Sequence, residues 1–181
     1  MEAKWTLYPD QINGVNLKLL NKKAEECERN ILHIHFSKYR TTLFNQLNKP
    51  TNKIKLDDLK KKGILKNDQY LLLFPSSGKT DSSKFDMTLL SLLVRSLCGY
   101  QKPPKGWNTD PDVTDESEIA DSVRFTLSRN RSAHFTQAGI SMKEYKGYFF
   151  YLKDALKRRG CSEKDLIDMI RFKSKSVPTN F

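Results

Sequence analysis

Between Val15 and Leu47 apolar side chains return every third or fourth position: Leu17, Leu20, Ala24, Cys27 and Ile31, then Leu32, Phe36, Tyr39 and Leu43. That spacing marks one face of a helix and predicts a single long amphipathic helix, kinked near Ile31 where the phase slips. Pro50 ends it, and a lysine-rich, partly exposed segment runs from Asn52 to Gly63. Ile64 to Phe74 carries a short apolar run stopped by Pro75, and a loop follows from Ser76 to Ser83. Phe85 to Cys98 is apolar on most sides, the pattern of a central helix, with Asp81, Ser82 or Ser83 as its cap and Gly99 as its end.

After a Pro- and Gly-containing loop from Gln101 to Val113, a helix is expected to begin at Thr114 or Asp115, where Asp115 and Glu118 have capping-box spacing. Its apolar face is Ile119, Val123 and Leu127. Two further helices are predicted, Ser141 to Arg159 and Ser162 to Arg171, separated by Gly160. Strand-like alternation is scarce and no internal repeat is visible, so the predicted fold is all-α.

The 181 residues suit one domain, 1–181, with a core of about 13–170 and a basic tail over 171–181. A net charge of +11 predicts affinity for polyanions, nucleic acid before an anionic membrane. Cys27, Cys98 and Cys161 are isolated and match neither zinc nor disulfide-framework spacing. The stretch Met1 to Trp5 lacks an apolar signal core and no run approaches transmembrane length, so an intracellular, cytoplasmic location is expected.

Two apparent motifs dissolve on inspection. Ser77-Gly78-Lys79-Thr80 looks like the end of a phosphate-binding P-loop, but the glycine required five residues before Gly78 is Leu73. His33 and His35 diverge by about 200° on a helix and cannot share a metal. The acidic stretch Asp110 to Asp121 holds six carboxylates; negative charge at a helix N-terminus accounts for much of it.

The segment Arg129-Asn130-Arg131-Ser132-Ala133-His134 is more telling. Asn130 and His134 fall within about 40° of each other one turn apart, and the long Arg129 side chain can swing to the same face. A histidine that titrates near neutrality, a fixed guanidinium fork and an orienting amide are what phosphodiester chemistry without a metal needs. The plainer alternative is that Arg129 and Arg131 merely complement a helix C-terminus.

The spacing Arg-Asn-x-x-x-His resembles the signature of HEPN domains, a helical family of nucleotide-binding and RNA-cleaving modules. The surroundings narrow the likeness: Leu59 to Leu65, Gln69, Leu73-Phe74-Pro75, Phe85 to Leu90, Pro103 to Trp107, Asp115 and Ala155-Leu156 resemble the subfamily named after a DAZ-interacting zinc-finger ubiquitin ligase. The likeness covers roughly residues 13 to 170. Arg131 and Ser132 depart from the bulkier apolar or acidic residues that relatives carry there.

The resemblance implies a bundle of about four or five helices with a long N-terminal helix, pairing as a homodimer whose two motifs form one cleft. It implies an endoribonuclease that needs no metal or other cofactor and leaves a 2′,3′-cyclic phosphate. Arg129 would hold the scissile phosphate, His134 would transfer the proton and Asn130 would position either. Alternatively, the domain is a non-catalytic module for dimerisation and for RNA or protein binding within a larger assembly. A partner for a separate nucleotidyltransferase is a third possibility.

Arg124 and Arg131 add positive charge near the motif, and a guiding surface for RNA is expected from Lys53, Lys55, Lys60, Lys61, Lys62, Arg158, Arg159, Arg171, Lys173 and Lys175. Phe125, Phe135 and Tyr145 lie near the motif and are candidates to stack bases, but core packing is the expected role for each.

Overall fold

The computed structural model describes residues 9–39, 41–133, 135 and 139–171. Those residues form eight α-helices, one 3₁₀ turn and no strand: α1 Pro9–Ser37, α2 Leu43–Leu47, α3 Pro50–Lys61, α4 Asn67–Leu73, the 3₁₀ turn Ser82–Lys84, α5 Met87–Leu97, α6 Glu118–Ser132, α7 Met142–Arg158 and α8 Glu163–Arg171. The all-α expectation holds.

The chain packs as two compact units, one of residues 1–27 and 108–181, the other of residues 28–107. In the second unit, Ile31, Leu32 and Phe36 of α1 join Leu47, Leu56, Leu65, Leu73, Phe85 and the buried face of α5 in one apolar core. Residues Met87, Leu89, Leu90, Leu92, Leu93, Val94 and Leu97 of α5 are all buried, as a helix apolar on most sides requires. Its cap is Asp86, whose carboxylate accepts the Leu89 amide at 2.8 Å.

Two local outcomes after α1 differ from the sequence pattern. The N-terminal helix stops at Ser37 and helix resumes at Leu43, because the Thr42 hydroxyl accepts the Asn45 amide at 3.2 Å and caps a new start. Pro50 opens α3 at its first position, where the missing N–H is one no helix would use. His33, set aside as a metal ligand, instead meets the Ser82 hydroxyl at 2.7 Å, beside Arg29, whose guanidinium donates to the Ser82 and Phe85 carbonyls.

In the first unit, Leu17, Leu20 and Ala24 of α1 are buried, as are Val123, Phe125 and Leu127 of α6 and Tyr145, Phe149, Leu152 and Leu156 of α7. Helices α6 and α7 pack on each other. The loop into α7 is pinned to the start of α1: Ile140 N–H donates to the Asp10 carbonyl at 3.0 Å, and the Asn13 amide donates to the Ile140 carbonyl at 3.2 Å. Gly139 makes this approach at φ +88°, where a Cβ would fall 2.5 Å from the Asp10 backbone. The buried thiols of Cys27 and Cys161 lie 3.6 Å apart, a proximity that their separation of 134 positions conceals in the sequence.

Candidate functional site

Helix α6 begins later than its acidic approach suggests. Ser117 is the cap, accepting the Ala120 amide at 3.2 Å, while Asp115 turns back to accept the Ser117 amide at 3.0 Å. From there the helix carries Arg129 and Asn130 to its last turn. The Arg129 guanidinium donates to the Asn130 side-chain oxygen at 3.3 Å. His134, the third member of the motif, lies outside the described residues, as do Lys173 and Lys175.

A relay of small polar groups fixes that last turn. The Ser128 hydroxyl donates to the Asn21 side-chain oxygen at 3.1 Å, the Asn21 amide donates to the Ser132 hydroxyl at 2.7 Å, and Ser132 donates to the Arg129 carbonyl at 3.0 Å. A serine at position 132 thus takes a hydrogen-bonding part that a bulkier apolar residue could not.

Beside this relay opens a cleft of about 470 Å³, lined by Lys18, Asn21, Lys22 and Glu25 of α1 and by Arg129, Ser132, Ala133 and Phe135. Three cations face one carboxylate there. Lys18 and Lys22 are exposed and one turn apart, and neither they nor Arg129 pairs with a carboxylate among the described residues. The sequence pattern gave no reason to single out the two lysines, because only the fold of α1 against the end of α6 brings them to the motif.

The other predicted cations have different surroundings. Arg131 forms a two-pronged pair with Asp110 at 3.1 and 2.6 Å, and Tyr151 donates to the same carboxylate at 2.5 Å. The Arg131 guanidinium holds the Asp110 carboxyl below its ordinary value. Arg124, expected beside the phosphate path, is instead only 6% exposed, donating to Asp121 at 3.0 Å and to the Asp112 carbonyl at 2.7 Å.

Arg158 and Arg159 converge on the same Asp121. Arg158 donates to it at 2.7 and 3.1 Å and Arg159 at 3.1 Å, with Glu116 and Glu118 as further partners at 3.6 and 2.8 Å. Hydrogen bonding to Asp121 raises the Arg158 pKa above its ordinary value. The arrangement follows from the helix pair: acidic residues favour the N-terminus of α6, basic ones the C-terminus of α7, and the two ends meet. The carboxylates of the acidic stretch therefore serve arginines and a turn.

Lys60, Lys61 and Lys62 end α3 in the second unit and are exposed. The Lys60 ammonium lies 3.9 Å from the centre of the Tyr70 ring and Lys62 pairs with Asp58 at 2.7 Å. Of the aromatic residues near the motif, Phe125 and Tyr145 are buried in the core, whereas Phe135 is half-buried at the rim of the cleft.

Similarity to known proteins agrees with this anatomy. Residues 40–176 match the family described as DZIP3/hRUL138-like HEPN. A segment of 98 residues, 54% of the chain, is 29% identical to the E3 ubiquitin-protein ligase DZIP3 of Homo sapiens and equally to that of Mus musculus. The matched segment spans 8% of the length of those relatives. No solved structure matches. Among the described residues, no helix is long and apolar enough to cross a membrane.

Proposed function

Because this chain belongs to the DZIP3/hRUL138-like HEPN family, we propose that it is a metal-independent endoribonuclease acting on single-stranded or looped RNA, and that it works as a homodimer. The observation that carries this reading is the placement of Arg129, first residue of an intact Arg-Asn-x-x-x-His spacing, in a cleft with Lys18 and Lys22. Three cations against one carboxylate suit a polyanionic strand, and a guanidinium suits a phosphate in particular.

The substrate supplies its own nucleophile. Its 2′-oxygen attacks the adjacent phosphorus, the O2′–P bond forms, and the P–O5′ bond breaks. The proton leaves the 2′-hydroxyl for a general base, and a proton reaches the departing 5′-oxygen. The products are a 2′,3′-cyclic phosphate and a 5′-hydroxyl. In this scheme His134 moves the proton, Arg129 stabilises the charge that builds on the non-bridging oxygens, and Asn130 keeps the Arg129 guanidinium in place through the contact between them.

The test is end-labelled single-stranded RNA incubated with the protein in EDTA at low salt. Native protein should yield cyclic-phosphate ends, and His134→Ala should cut about 10²–10⁴-fold more slowly while still binding. Arg129→Ala should lose both affinity and rate. Equal cleavage by native and His134→Ala protein would sink the assignment.

One observation favours a second reading. The matched relatives are named as ubiquitin ligases and the shared segment is a small part of each. On that reading the domain is a non-catalytic module that dimerises and binds RNA or protein for a larger chain. A gel shift with intact RNA in every lane would select it.

A further inference from the structure

Phe135 lines two cavities. On one side is the cationic cleft of Lys18, Lys22 and Arg129. On the other is a pocket of about 350 Å³ whose walls are Arg131, Phe135, Glu144, Gly147, Tyr148 and Tyr151. Its character is different. Phe135 and Tyr148 meet edge to face with ring centres 5.7 Å apart, and the Arg131 guanidinium lies 5.8 Å from the centre of the Tyr151 ring.

The aromatic walls are held in place. Tyr151 is tied to Asp110, which also grips Arg131 with both prongs, so ring and guanidinium share one anchor. Tyr148 and Tyr151 project from one face of α7, with Gly147 beside them. A Cβ built on Gly147 would meet nothing within 4 Å, so the absence of a side chain there leaves space open. Packing within the helix does not require a glycine at this position, and glycine weakens a helix interior.

We propose that this pocket receives one unstacked nucleobase of the RNA whose phosphates lie in the adjoining cleft. The proposal rests on the RNA reading given above and adds to it a second contact of different chemistry. Aromatic rings and a guanidinium plane are what stacks a splayed base. Arg131 is already neutralised by Asp110, and the Glu144 carboxylate stands at the rim, so the pocket repels a second phosphate while the neighbouring cleft attracts one. Base and backbone are thus sorted on the two sides of Phe135. The occupant is consequently single-stranded at that nucleotide, because a paired base cannot leave the stack without opening the duplex.

The experiment is a fluorescence-anisotropy titration of a labelled single-stranded RNA octamer and of an abasic octamer with the same phosphates. Native protein is compared with Gly147→Leu, Tyr148→Ala and the Lys18→Ala/Lys22→Ala pair. Gly147→Leu fills the pocket without removing a contact and improves helix propensity, so it should stay folded by thermal melting.

Gly147→Leu and Tyr148→Ala should each weaken binding of the ordinary octamer about tenfold, the effect of losing one stacked base. Neither should change binding of the abasic strand or the salt dependence. The lysine pair should weaken both strands and flatten the salt dependence. If Gly147→Leu and Tyr148→Ala bind the ordinary octamer like native protein while the lysine pair is impaired, the base pocket is wrong and the cleft reading stands. If native protein binds neither strand, both fall together. If the pocket variants lose self-association and keep RNA affinity, the pocket belongs to a protein interface and the proposal is overturned.

Discussion

The two ends of α6 treat arginine in opposite ways. At its beginning, the buried carboxylate of Asp121 gathers Arg124, Arg158 and Arg159, and Glu116 and Glu118 bring the count to three carboxylates for three guanidiniums. At its end, Arg129 meets, among the described residues, the neighbouring Asn130 amide, and it shares an open cleft with Lys18 and Lys22. The first cluster matches each guanidinium with a carboxylate, so it has no uncompensated charge to offer a ligand. In the second, the cations have no carboxylate partner among the described residues, which is the arrangement the proposed RNA backbone would use. Charge alone does not separate the two; the location of the matching carboxylates does.

The largest effect that would break this contrast is at Asp121. Replacing it by asparagine removes the charge shared by three guanidiniums and turns one of its two acceptor oxygens into a donor, in a site where Asp121 itself is 0% exposed. Leaving buried charge uncompensated should cost about 3–5 kcal/mol, read as a shift of the urea midpoint without a change in slope. RNA affinity per folded molecule should be unaltered. Unchanged stability would mean that the three guanidiniums do not depend on the Asp121 charge.

Next in size is the open end. Lys18→Ala with Lys22→Ala should leave stability within about 0.5 kcal/mol, since both side chains are exposed and unpaired among the described residues. RNA affinity should drop, and the slope of its logarithm against that of salt should fall by about one for each lysine that meets a phosphate. A stability loss comparable to that of Asp121→Asn would show that the lysines hold the fold and that the cleft is no binding site.

Much of this was visible in the chain beforehand, for identifiable reasons. Helices α7 and α8 lie close to where apolar periodicity and caps predict them; α5 follows its apolar run, but its cap is Asp86, whereas Asp81 caps the preceding 3₁₀ turn instead. The junction after α1 was missed because Leu43 continues the apolar phase of the helix while Thr42 caps a new one, and a local cap outweighs periodicity. Arg129 and Asn130 were legible through their spacing. Lys18, Lys22, Tyr148 and Tyr151 were not, since nothing in α1 or α7 alone marks them; they matter only through what α6 brings beside them. Arg124 and Arg131 look alike in sequence, yet one is buried against Asp121 and the other lies in the open against Asp110.

Arg131 and Asp110 are intermediate between the two ends, being paired but exposed, with Asp110 47% accessible. A pair of this kind contributes about 1 kcal/mol at most. Asp110→Asn should therefore destabilise slightly, with a pH signature of fixed sign. Arg131 depresses the folded-state pKa of Asp110 below the ordinary value of about 3.9, so the contribution is complete above that value and is lost as pH falls through the folded-state pKa. Melting curves of native and Asp110→Asn protein should stay apart at neutrality and converge only once pH has fallen through that lowered folded-state value. A gap that persists in acid would assign the effect to packing and not to charge.

The smallest effect tests whether the apolar core beneath α7 tolerates an unmatched polar group. Tyr145 is buried, its hydroxyl finds no partner among the described residues, and burial pushes its pKa up to about 12. A hydroxyl in that position keeps its desolvation cost and gains nothing in return. Tyr145→Phe preserves the ring while removing the cost, so stability should be unchanged or higher, by about 1 kcal/mol at most. A loss of about 1 kcal/mol or more would require a hydrogen-bond partner for that hydroxyl.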